Sequence, residues 1–187
     1  MFRSKVAGVA LLCTVVGGLV ACGGSDGDTV SARDYASDVC GAVKQYTDSI
    51  ENRVSEIQSN APSNPEEGKE VLTTFMDDMI SDTDALINDV EAAGVPDVED
   101  GEQIANEVQS ALEQVKSILE DARSQIADLP TDDPQAFAEG TQEVGTSLQE
   151  SGEEVQSGLE ELQSAELEEV SQDIEACQEI QSGGLTP

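Results

Sequence analysis

The chain has no histidine and no tryptophan, and only eight of its 187 residues are lysine or arginine. Each shortage removes a class of chemistry. Without histidine there is no His-based nucleophile triad, no zinc site of the commonest composition and no di-iron site of the Glu-x-x-His type. Aromatic residues make up 3% of the chain, which leaves little to stack a sugar or shape a deep pocket. The few basic residues form no patch, so nothing offsets the field of 40 acidic side chains. Such a field repels nucleic-acid phosphates and anionic headgroups, and no nucleic-acid partner is expected.

Carboxylates are what the chain has in excess. Adjacent pairs such as Asp132-Asp133 and Glu153-Glu154 could in principle serve a glycosidase, which needs two acids at a set separation. Among 40 acids, however, some pair will always be found. The run Asp97-Val98-Glu99-Asp100-Gly101-Glu102 gathers oxygen donors, but an EF-hand loop needs its glycine sixth and an acid twelfth. Counted from Asp97, Gly101 is fifth and Val108 is twelfth. The run therefore reads as an acid-rich helix start. No catalytic residue, cofactor or metal site is expected, and the chain is not read as an enzyme.

The first residues carry an export signal. Arg3 and Lys5 precede a stretch from Val6 to Val20 that is apolar or small apart from Thr14, followed by Gly23-Gly24-Ser25-Asp26, an order of basic, apolar and small segments that marks a leader. The stretch falls short of the roughly 20 apolar residues that span a bilayer. At its end, Leu19-Val20-Ala21-Cys22 resembles the lipobox of bacterial lipoproteins. The resemblance covers only the leader and implies that residues 1–21 are cleaved and that Cys22 takes a diacylglyceryl thioether. Two or more acyl chains give stable anchoring where one does not, which implies a membrane partner through the lipid and a place on the extracytoplasmic face of the cell membrane. With no Arg-Arg pair in the leader, the general secretory route is expected. Taken whole, the chain is similar to the small secreted lipoproteins of actinobacteria, a likeness that implies no defined activity.

Cleavage removes Arg3, Lys5 and no acid, leaving six basic residues against 40 acidic ones and a net charge of −34. Of four cysteines, Cys13 departs with the leader and Cys22 is lipidated. Cys40 and Cys177 remain in an oxidising compartment, where a disulfide between them is expected.

Residues 22–30 show no apolar period and read as a lipidated, flexible tether. Residues 31–182 read as one acidic helical domain, because apolar residues recur at steps of three and four. A first helix starts at Ser31, in capping-box spacing with Asp34, and carries Tyr35, Val39, Val43, Tyr46, Ile50, Val54 and Ile57 to about Ser59. A second starts at Asn64-Pro65, presents Leu72, Phe75, Met76, Met79, Ile80, Leu86, Ile87 and Val90, and stops at Gly94. The third runs from near Asp97 to Leu129-Pro130, with Ile104, Val108, Leu112, Val115, Leu119 and Ile126 inward.

A fourth follows Asp133-Pro134 with Phe137, Val144, Leu148, Val155, Leu159 and Leu162; residues 142–152 align with 153–163 at a period of eleven, which predicts a nearly straight helix. Gly140, Gly145, Gly152 and Gly158 thin this helix, and between Leu148 and Val155 the inward positions are Ser151 and Gly152. Either another helix approaches closely there or a groove opens. A break near Ser164-Ala165 introduces a fifth, shorter helix over 166–180, and 183–187 read as a disordered tail.

Short connections make these helices an all-α, up-down-up-down bundle of four long helices plus a short C-terminal helix. The expected function is that of a membrane-anchored, non-enzymatic interaction or structural module of the cell envelope with an envelope protein as partner; the alternative is a binder of a small apolar ligand or of divalent cations.

Overall fold

Side-chain caps set where the first two helices begin. The computed structural model describes residues 29–160 and 164–183, and within them α1 (Ala32–Ser59) starts where Ser31 Oγ accepts the Asp34 amide and donates to the Asp34 carboxylate. In α2 (Pro65–Ala93), Asn64 accepts the Glu67 amide and proline stands first in the helix. Gly94, at φ 81°, ends it, in backbone space that side chains rarely enter. Four further helices follow: α3 (Gly101–Ala127), α4 (Pro134–Glu160), α5 (Ala165–Ser171) and α6 (Glu175–Gly183).

The described chain is mostly helical, in keeping with the all-α expectation. α1 packs on α2, α2 on α3 and α3 on α4, while α5 and α6 return to α1. Hydrogen bonds between α1 and α2 step in opposite directions: Tyr46 meets Thr83, Ser49 meets Asp82 and Arg53 meets Asp78. Lys116 on Asp84 and Arg123 on Asp77 show the same opposition between α2 and α3. The main core joins Met76 and Met79 of α2 to Leu119, Ala122 and Ile126 of α3, with Leu129 and with Val144 of α4. Burial of such side chains contributes roughly 1.5–3 kcal/mol each.

Four expectations about the bounds of elements need correction. Thr29 and Val30 are not free tether: as strand β1 they pair in parallel with strand β2 (Val95–Pro96), and the Asp97 amide bonds the Val30 carbonyl. α3 starts at Gly101 rather than near Asp97, because Asp100 takes a left-handed conformation at φ 59° and the residues before it form a turn under β2. The single fifth helix is two, α5 and α6, with the break at Gln172–Ile174. Gly183, expected to open the tail, closes α6; residues 184–187 lie outside the described residues, as do 1–28 and Leu162.

The glycines of α4 divide. Gly140 packs tightly on Leu129, so that a Cβ there would lie 2.4 Å from Leu129 Cδ2, whereas nothing lies within 4 Å of a Cβ at Gly145 or Gly152. Gly152 is exposed rather than inward. At about 100° per residue, Ser151 sits close to the Val144–Val155 line and Gly152 well to one side of it.

Candidate functional site

Two ends of the molecule carry the residues that bear on function. At one end lie β1, the start of α1, the end of α2 and the start of α3. Cys22, the expected lipid acceptor, lies outside the described residues, seven positions before Thr29. Pairing of Thr29 with Val95 and of Val30 with Pro96 fixes where the segment that follows it joins the helices.

The disulfide sits in the same half of α1. Cys40 and Cys177 are joined across 137 residues of sequence, with their Cα atoms 5.1 Å apart, inside the range that a disulfide requires. Cys177 is 2% exposed. It belongs to a small apolar cluster with Ala36 and Ile174, against which Cys40, Leu167, Val170 and Ala176 pack. Both α5 and α6 contribute to that cluster, so the bond and the packing together hold the C-terminal segment on α1.

The scarce cations sit at helix boundaries. Arg53 of α1 binds Asp78 and Asp82 of α2; Lys116 and Arg123 of α3 bind Asp84 and Asp77 of α2; Lys44 of α1 bridges its own Asp48 and Glu179 of α6. Lys69 of α2 donates to the Leu129 carbonyl at the end of α3. Five of the six basic residues beyond position 21 are therefore spent between helices or against a helix end. Placement at the seams leaves the outer faces acidic. No lysine or arginine follows Arg123, and α4 carries only negative charge.

Thr83 is the polar residue that the apolar pattern of α2 passes over. It is fully buried, bonds the Met79 carbonyl and meets the Tyr46 hydroxyl at 3.1 Å. The gap it fills, between Met79–Ile80 and Leu86–Ile87, was the available signal.

Burial pushes the phenols of Tyr35 and Tyr46 above their ordinary value of about 10. The Tyr35 hydroxyl is buried without a hydrogen-bond partner among the described residues. A proton held more tightly in the folded than in the unfolded state stabilises fully below the unfolded pKa, and that contribution is lost as pH rises through the folded one. Asp48 and Asp84 raise Lys44 and Lys116 from 10.5, in the same direction. The melting temperature should therefore fall as pH climbs above about 10. A melting temperature unchanged through that rise would refute this.

Among the described residues, no three or more His, Cys, Asp or Glu side chains are grouped to hold a metal ion, and no described helix is long and apolar enough to cross a membrane. A groove of about 420 Å³ opens at the other end of the molecule, between the last turns of α1 and the first turns of α2. No family model, curated protein or solved structure matches the chain.

Proposed function

We propose that this chain is a membrane-anchored extracytoplasmic lipoprotein whose domain, an up-down-up-down bundle of four long helices with a helical C-terminal return, engages another protein of the cell envelope without catalysing a reaction. The observation that carries the reading is the Cys40–Cys177 bond, with Cys177 buried. A disulfide that holds part of a fold in place belongs to an oxidising compartment, as secretion through the leader would provide. Supporting it, the opposed hydrogen bonds along α1, α2 and α3 fit antiparallel neighbours. The docked strand β1 brings the chain from the lipidated Cys22 to one end of the bundle. The other end then faces away from the membrane.

The lipid is tested directly. Cells expressing the wild-type chain should incorporate labelled palmitate into it, and Cys22→Ser should abolish the label. Persistence of label in Cys22→Ser would remove the anchor. The interaction is tested separately, by pull-down of the wild-type protein from detergent-solubilised membranes of its host; recovery of no specific partner would remove that half of the reading.

A further inference from the structure

The apolar stripe of α1 runs from Tyr35 to Ile57, yet the described residues cover only part of it. Tyr35 is buried, and α5 and α6 lie over the helix as far as Cys40 and Lys44, through the disulfide and the Lys44–Glu179 pair. Tyr46 and Ile50 pack on the main core. Beyond them the stripe outruns its cover: Val54 is 37% exposed, the large apolar side chain left in solvent among the described residues. One turn further on, Ile57 is joined by Val71 and Phe75 of α2 along the groove of about 420 Å³, whose rim carries Glu56 and Glu70. No hydrogen bond or ion pair among the described residues engages either of those carboxylates, whereas Arg53, the cation of the groove, is already held by Asp78 and Asp82.

We propose that this groove docks a basic amphipathic segment of a second envelope protein. Its apolar side chains would rest on Ile57, Val71 and Phe75, and its lysine or arginine side chains on Glu56 and Glu70. The proposal rests on the reading that the protein has an envelope partner. Charge complementarity selects the occupant. A second copy of this chain, cleaved as its leader implies, brings a net charge of −34 and six basic residues, five of them engaged; an anionic lipid surface is repelled by the same field. Position agrees: the 28 residues of α1, at 1.5 Å each, set the groove about 40 Å from β1 and the anchored end. An apolar floor with a charged rim is the pattern by which a groove binds one face of an amphipathic helix.

The test uses the purified full chain in neutral detergent and a fluorescent helical peptide of alternating leucine and lysine faces, read by fluorescence anisotropy. Glu56→Gln/Glu70→Gln should weaken binding roughly tenfold, since rim charges set much of the encounter and some of the affinity. The control Glu139→Gln/Glu143→Gln removes equal charge from the outer face of α4 and should change binding less than about twofold. Ile57→Ser should weaken binding of the leucine peptide more than that of a peptide with serine in place of leucine. Equal losses in the two charge variants, equal binding of the leucine and serine peptides, or no binding of the leucine peptide would each overturn the groove. Each of these outcomes leaves the pull-down unaffected. Failure of the pull-down with peptide binding intact would remove the partner and leave the groove as a binder of cationic amphiphiles.

Discussion

Cys40→Ser is expected to lower the stability of the purified protein by about 2–5 kcal/mol in urea unfolding. The bond closes a loop across 137 residues, and a crosslink of that span removes much of the freedom of the unfolded chain. Because that part of the effect lies in the unfolded state, the dependence of stability on urea should steepen as the released chain expands. A mutation that merely opened a cavity would leave that slope unchanged. Folded-state consequences add to this: Cys177 stays buried against Ala36 and Ile174 without its partner, and α5 and α6 lose the covalent hold on α1. Cys177→Ala should cost a similar amount, and the double variant little more than either, since either change alone breaks the bond. Unfolded, unreduced wild-type protein should show no free thiol among the cysteines of the domain. Two free thiols there, or a Cys40→Ser variant with unchanged midpoint, would refute the role assigned to the bond.

What the sequence discloses follows how locally each feature is determined. Ser31, Asn64-Pro65 and Gly94 act within a turn or two of themselves, and each stands where its local chemistry places it. The long helices were legible for the same reason. The division of the C-terminal segment was not, because Leu167, Val170, Ile174 and Cys177 fall at steps of three, four and three whether the helix is continuous or broken. Ser171 and Gln172 carry no helix breaker, and only packing on α1 brings out the break.

The β1–β2 pairing was equally silent. It is made of backbone bonds between two-residue segments with no side-chain pattern, and Pro96 argues against a strand except at an edge. Acids misled the reading of α3: Asp97, Glu99 and Asp100 have the composition of a helix start, but Asp100 adopts the left-handed conformation and ends a turn instead. The uncovered end of α1 was also hidden. Periodicity reports that Val54 and Ile57 share the apolar face, and it cannot report that Val54 stays exposed among the described residues.

Gly101 provides the second large effect, and it acts on the place where strands β1 and β2 meet the helices. A Cβ at this position would lie 2.0 Å from the Pro96 carbonyl oxygen and 3.2 Å from its carbon. Both are backbone atoms, held by β2 on one side and, through Pro96 O, by the Val98 amide on the other. No rotamer change can relieve that overlap. Gly101→Ala should therefore push β2 away from α3 and cost about 1–3 kcal/mol, the range for overpacking. The other glycines calibrate the effect. At Gly140 the obstructing atom is the end of a leucine side chain, which can turn aside; at Gly152 there is open space. Gly152→Ala should stabilise by up to about 1 kcal/mol through helix propensity, with Gly140→Ala falling between the two.

The site of damage distinguishes a local from a global effect. Hydrogen exchange should show the Asp97 amide, bonded to the Val30 carbonyl, losing protection in Gly101→Ala, while amides in the middle of α2 and α3 keep most of theirs. Strand β1 would then be released from β2. If stability and Asp97 protection both match the wild type, the backbone at Pro96 can yield, and the strand pair is not what fixes the chain to this end of the bundle.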